Sequence, residues 1–399
     1  MEIELGIGCL DLWFAGRNNN SMKVVIAIDS FKGSMTSLEA GKAAKSGVLC
    51  AIPDAEVVVK TLADGGEGTT DALIQGMRGK RISIKVTGPM GEPVTAEYGI
   101  LEDGVTAVME MAQAAGITKV PEGMRNPLKA TTFGVGEMIK DAVLRGCRAF
   151  LIGIGGSATN DAGLGMLKAL GFCFLDKNGI EVGEGAAELE RICTIQTNQV
   201  MAELSECSFR IACDVTNPLC GMQGATYIYG PQKGLGEEML ASVDKGMKHF
   251  AEVTEKHFGG NFQNVPGAGA AGGLGFAFLS FLNGNLMPGV DLILDVIRLE
   301  EELSGADFVI TGEGKIDGQT AMGKAPVGVA KLAKKYGCTV LAFAGSVDED
   351  AGLCYEAGID AIFPIVRGVV SLEEAMRCET ARANMANAVE QVFRVIRSI

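Results

Sequence analysis

Five short apolar runs in this chain each empty into small, polar and acidic residues. Met22 to Ile28 runs into Asp29-Ser-Phe-Lys-Gly-Ser34, and Glu56 to Lys60 leads to Ala63-Asp-Gly-Gly-Glu-Gly-Thr69. Phe150 to Ile154 leads to Gly155-Gly-Ser-Ala-Thr-Asn-Asp161, Phe209 to Ala212 leads to Cys213-Asp-Val-Thr-Asn-Pro218, and Asp307 to Ile310 leads to a polar run from Thr311 to Lys324. Apolar runs of this length bounded by turn residues predict buried strands. Charge and free backbone N–H groups then lie at the carboxyl edge of a sheet, where open α/β folds bind ligands. Five such loops imply convergence on one cleft.

Between these runs the apolar spacing changes to the helical period. The pattern predicts strand 23–28, helix 37–51, strand 56–60, helix 68–75 and several short strands across 82–110. Helix 128–145, strand 149–154, helix 161–170, strand 209–213, helix 235–257 and helix 272–283 follow. After residue 297 the rhythm is strictly alternating: strand 307–311, helix 321–336, strand 339–344, helix 350–357, strand 360–364 and helix 371–397. At 399 residues the chain exceeds the roughly 250–300 at which single cores stop growing. The expected fold is α/β, with two dissimilar α/β domains. One is doubly wound and discontinuous, residues 22–86 plus 295–399; the other, 87–294, is inserted, and the active site lies in the cleft between them.

Composition narrows the function classes. A net charge of −14 argues against nucleic-acid binding, which needs basic stripes to release counterions. In so acidic a chain the lysines within glycine-rich loops, Lys32, Lys233, Lys315 and Lys324, are the candidate cations for an anionic substrate. Eleven cysteines with no Cys-x-x-Cys pair read as free thiols of a reducing compartment, and the two histidines, His249 and His257, read as helix surface. Residues 1–21 have acids where an export signal needs a basic start, and are expected to be a disordered extension or an upstream in-frame start. The charge-poor stretch after Lys256 is broken by Pro266, Pro288 and glycines, which predicts a buried helix, no membrane span and a cytoplasmic protein.

The motifs separate the remaining chemistries. Gly318 to Ala325 misses the phosphate-loop pattern at its last residue, so no hydroxyl serves magnesium there, although Lys324 at a helix start still suits a phosphate. Gly153-Ile-Gly155-Gly-Ser-Ala158 with Asp176 further on satisfies a dinucleotide fingerprint, the best case for an oxidoreductase, but leaves the other loops unexplained. Asp29 to Ser34 packs a carboxylate, two hydroxyls and a lysine into six residues; it also reads as a helix-capping turn with Ser34 or Thr36 as cap. Asp64-Gly-Gly-Glu67 offers two carboxylates on a loop able to approach a ligand closely. With Asp161, Asp214, Glu313 and Asp317, the chain holds the carboxylates and lysines that phosphoryl transfer requires.

From Met22 onward the sequence closely resembles the type I glycerate kinase family. The motifs are Ile28 to Ser34, Ala63 to Thr69, Gly155 to Asp161, Cys213 to Pro218, Pro266-Gly-Ala-Gly-Ala-Ala-Gly-Gly273, Thr311-Gly-Glu-Gly314 and Asp317-Gly-Gln-Thr320. The resemblance implies ATP- and Mg²⁺-dependent phosphorylation of D-glycerate, mostly at the 2-hydroxyl, by a monomer or homodimer. Its alternatives are 3-phosphoglycerate formation, an NAD(P)-dependent hydroxy-acid oxidoreductase, and a non-catalytic sensor of hydroxy acids. On that implication Asp29, Lys32, Asp214 and Asp317 are the catalytic candidates, Asp214 and Asp317 serving the metal or acting as base. Lys32 with Ser30 and Ser34 would take the glycerate carboxylate, and Asp64, Gly65, Gly66 and Glu67 its hydroxyls. Gly155, Gly156, Ser157, Thr159, Asn160, Asp161, Glu313, Gly314 and Lys324 would hold ATP.

Overall fold

The computed structural model describes residues 21–63 and 68–399. A first sheet is built from β1 (Lys23–Ile28), β2 (Glu56–Thr61), β11 (Phe308–Ile316), β12 (Thr339–Val347) and β13 (Ala361–Pro364). All neighbours are parallel, in the order β13-β12-β11-β1-β2. Its strands are buried on both faces, as parallel strands are. Val24, Ile26 and Ile28 meet the helices Ser37–Ala51 and Cys378–Ser398, whereas Val25, Ala27 and Val309 face the helices Gly289–Val296 and Ala325–Lys334. This is the doubly wound arrangement expected from the alternating rhythm.

The second sheet contains β3 (Lys80–Thr87), β4 (Pro93–Ile100), β5 (Thr106–Glu110), β6 (Ala149–Gly153), β9 (Ser208–Ala212) and β10 (Asn285–Met287), in the order β10-β9-β6-β5-β4-β3. Its β3-β4-β5 part is antiparallel and the rest parallel. β3, which the sequence places with residues 22–86, pairs along its whole length with β4, so the second sheet begins at Lys80. One face carries Phe150, Ile152, Phe209 and Ile211 in a large core under the helices Phe133–Leu144, Glu237–Phe258 and Ala270–Phe281. The alternate residues Val108, Leu151 and Ala212 join Val25, Ala27 and Val309 in a core shared with the first sheet. A small hairpin, β7 (Cys173–Leu175) with β8 (Thr194–Gln196), stands apart.

Two departures from the periodicity shape the site. The last helix, expected unbroken from 371 to 397, is divided into Leu372–Met376 and Cys378–Ser398 because Arg377 adopts extended geometry (φ −58°, ψ 127°). The helix expected from 272 begins at Ala270 and passes through left-handed Ala271, Gly272 and Gly273 before continuing. A Cβ on Gly272 would lie 2.0 Å from the Thr159 carbonyl oxygen, so only glycine lets this turn pack on the loop after β6. Among the described residues no helix is long and apolar enough to cross a membrane. His249 is half-buried and its Nε2 lies 2.7 Å from the Ile192 carbonyl, a correction to its expected surface position.

Candidate active site

The carboxyl edge of the first sheet opens into a cavity of about 430 Å³. Asp29, Ser30, Lys32 and Ser34 enter it from the loop after β1, and Glu313, Gly314, Lys315 and Asp317 from the end of β11. The two loops are held together because the Asp29 N–H donates to the Gly312 carbonyl (2.9 Å). Gly312 itself is obligatory, since a Cβ there would meet the Phe343 carbonyl oxygen at 1.9 Å. The helix behind the β1 loop is capped by Thr36 in a reciprocal pair with Glu39; Ser34, the other candidate, caps nothing, and its hydroxyl is buried without a described partner. The adjacent Ser37 hydroxyl donates to the Ile28 carbonyl (2.6 Å) and accepts from the Leu62 N–H (2.8 Å), fixing the ends of β1 and β2 to each other.

Asp317 caps the short helix Gly318–Ala321 by accepting from the Gln319 and Thr320 N–H groups, and lies 3.9 Å from Lys315 and 3.8 Å from Lys324. Burial opposes its ionisation, but the Thr320 N–H and the charge of Lys324 outweigh that and hold its carboxyl below the usual range. Thr320 also donates its hydroxyl to Glu313 (2.6 Å), and Lys315 pairs with Asp348 (2.7 Å). Opposite this charged floor the wall is apolar, formed by Ile365, Val366, Leu372 and Met376. A smaller chamber of about 190 Å³ shares Asp29, Ser30 and Lys32 with the cavity and continues to Thr61, Gly68 and Asp71. Asp64, Gly65, Gly66 and Glu67, expected at the substrate hydroxyls, lie outside the described residues.

A second cavity, also of about 430 Å³, opens at the carboxyl edge of the second sheet. Gly155, Gly156, Ser157 and Asp214 line it together with Tyr229, Lys233 and Ala271. The expected site residues divide between the two cavities: Asp214 and Gly155 to Ser157 line this one, whereas Asp317, Glu313 and Lys324 line the first. The expected nucleotide ligands Thr159, Asn160 and Asp161 are buried and face inward. Asp161 accepts from the Thr132 N–H and hydroxyl and from the Gly163 and Gly165 N–H groups, which organises the following helix Leu164–Ala169; Asn160 donates to Thr226. Burial pushes the Asp161 carboxyl upward against those donors. A direct contact relates the two edges: the Thr70 N–H, beside the small chamber, donates to the buried Glu110 at the end of β5 (3.0 Å).

Lys233, one of the four loop lysines expected to meet an anionic substrate, is the cation of the second cavity. It is 2% exposed, and its ammonium donates to the Ser157 hydroxyl (2.8 Å) and the Thr159 carbonyl (2.7 Å). Burial lowers its pKa to about 7, partly offset by Asp161. The dinucleotide reading of the same loop does not fit. β7, the strand that should return beside β6, lies in the separate hairpin, and Asp176 accepts from the Asn178 and Ile180 N–H groups of its own turn.

Comparison with known proteins agrees with these motifs. Residues 24–397 match the glycerate kinase family. The chain is 47% identical over 354 residues to a glycerate kinase of Bacillus subtilis, covering 89% of this chain and 93% of the relative. It is 45% identical over 356 residues to the glycerate 2-kinase of Escherichia coli, again covering 89% and 93%. A crystal structure of a candidate glycerate kinase 2 from Salmonella typhimurium LT2 superposes with a TM-score of 0.87 at 40% identity, over 95% of this chain and 99% of that one. The chain belongs to the glycerate kinase family.

Proposed function

We propose that this member of the glycerate kinase family transfers the γ-phosphoryl group of ATP to the 2-hydroxyl of D-glycerate, giving 2-phosphoglycerate and ADP. The observation that carries the seating of the nucleotide is the two-sided lining of the first-sheet cavity. Lys32, Lys315 and Lys324 on its floor suit phosphates, and Ile365, Leu372 and Met376 on its wall suit an aromatic base. D-Glycerate alone has no apolar part for that wall. Half-buried Asn384 also lines the cavity, and its amide offers both a donor and an acceptor to the edge of a base.

The triphosphate would end where the cavity meets the smaller chamber, at Asp29, Ser30 and Lys32. There Asp29 orients the acceptor hydroxyl and takes its proton, while Lys32 neutralises charge on the transferring group. Among the described residues no group of three or more His, Cys, Asp or Glu side chains is arranged to hold a metal. Mg²⁺ seldom needs one, taking one or two carboxylates together with phosphate oxygens and water, and the hard oxygens of Asp317 and Glu313 fit that requirement. When bound, Mg²⁺ would shield the β- and γ-phosphates and leave Asp317 fixed between Lys315 and Lys324. The ten described cysteines are all free, which supports a cytoplasmic setting.

The test is a coupled assay with purified protein, D-glycerate, ATP and Mg²⁺, read through enolase and pyruvate kinase with and without phosphoglycerate mutase. Signal without mutase establishes the 2-kinase. Signal only with mutase assigns the 3-hydroxyl, and no signal in either rejects the substrate. Thermal stabilisation by Mg-ATP and not by NAD(P)⁺ separates the kinase from an oxidoreductase.

A further inference from the structure

The second-sheet cavity holds a buried cation that the proposed nucleotide seat does not use. Among the described residues no carboxylate oxygen lies within the 4 Å of an ion pair of the Lys233 ammonium, and its two hydrogen bonds go to neutral oxygens, Ser157 Oγ and the Thr159 carbonyl. An ammonium so buried is strongly disfavoured unless charge of opposite sign reaches it. Asp161 gives a partial field, but its oxygens are occupied by four donors.

The loop above Lys233 is built to receive such a charge. It is pinned on the outside, where the Ile117 N–H donates to the Gly156 carbonyl (2.8 Å) and the Ala158 N–H to the Ala115 carbonyl (2.9 Å). The amides of Gly155, Gly156 and Ser157 donate to no described residue, and Gly156 is left-handed (φ 72°). Consecutive unsatisfied amides around a left-handed residue form an anion-binding concavity. Left-handed Ala162 and Ala271, both at φ 52°, flank the same loop; strain of this kind persists where the surrounding structure enforces it, commonly at ligand sites.

We propose that Lys233 and the Gly155–Ser157 amides form a second oxyanion site that takes a carboxylate or phosphate group of one of the two reactants. This rests on the kinase reading. The carboxyl edges of the two sheets, linked by the Thr70–Glu110 hydrogen bond, then both contribute to holding the reactants. The ammonium supplies the charge, the amides the directional donors, and Ser157 positions the ammonium.

The experiment is steady-state kinetics of Lys233→Met and Ser157→Ala, varying D-glycerate at saturating Mg-ATP and then the reverse. Loss of a charge-assisted hydrogen bond should raise one KM about tenfold or more in Lys233→Met, and the same KM about threefold in Ser157→Ala. A rise for D-glycerate assigns its carboxylate to the site; a rise for Mg-ATP assigns a phosphate. If both constants stay at the parent values while the parent enzyme is active, the oxyanion site is overturned and the kinase reading stands. A parent without kinase activity rejects that reading itself. Should Lys233→Met fail to fold, Ser157→Ala decides alone, because its smaller side chain cannot overpack the loop.

Discussion

The two sheets carry cavities of equal volume at equivalent edges, yet they hold charge in opposite ways. In the first, Lys315 and Lys324 flank Asp317, partly exposed, within reach of water and of each other's counter-ions. In the second, Lys233 is sealed beneath a glycine loop and bonded only to neutral oxygens. Exposed pairs of the first kind contribute little to stability and can exchange partners as a ligand arrives. A buried cation of the second kind is poised for one partner only. This difference is the reason we propose the nucleotide for the cavity of exchangeable charges and a single small oxyanion for the cavity of the fixed one.

The contrast can be broken at its centre. Lys32→Ala removes the cation at the junction of the first cavity and the small chamber, and kcat should fall about a hundredfold with the circular-dichroism spectrum unchanged. Turnover near the parent value would take Lys32 out of the reaction. Asp317→Asn should be milder. Asparagine still caps the helix at Gly318, so the fold survives, but the half-saturating Mg²⁺ concentration should rise about tenfold. An unchanged magnesium titration would remove the metal role from this cavity.

The nucleotide seat is sharpened from its apolar side. Leu372, 75% exposed, should lie against the base; Leu372→Ser should raise KM for ATP about five- to tenfold and leave KM for D-glycerate alone. Equal shifts in both constants would argue against a base on that wall.

The smallest expected effect concerns pH. Burial lowers the Lys233 pKa to about 7 in the folded chain from the ordinary 10.5, so the unfolded chain binds more protons between those limits and stability gained from this group rises with pH there. The penalty of burying the charge is fully present below pH 7 and relieved as pH climbs toward 10.5. Lys233→Met should therefore be most favourable, relative to the parent, in melts at pH 6, and that relative advantage should shrink by pH 9. A pH-independent difference would mean that the lysine is not charged and buried as described.

Much of the fold was legible along the chain. β1 occupies the expected residues, the helix Ser37–Ala51 begins after its expected threonine cap, and the strand-to-helix alternation after residue 297 gives the expected doubly wound sheet. These features follow from local rules: apolar runs of fixed length, a hydroxyl before a helical period, glycines after strands. The hairpin β7-β8 and β10 were not foreseen, because three-residue strands carry too little pattern. The break at Arg377 was also hidden, although it delivers Leu372 and Met376 to the cavity wall, since neither proline nor glycine marks it.

By itself the sequence determined that this is an α/β chain with polar, glycine-rich loops at strand ends, and its motifs identified the family. Only the tertiary structure decided which loops share a cavity. It paired the loops after β1 and β11 and, separately, those after β6 and β9, because strand order, not chain order, places the ends of strands side by side. It also turned Asp161 from a candidate ligand into an internal scaffold and brought Lys233 beneath a loop 74 residues away. Burial and partner geometry are properties of the packed chain, and no local pattern encodes them.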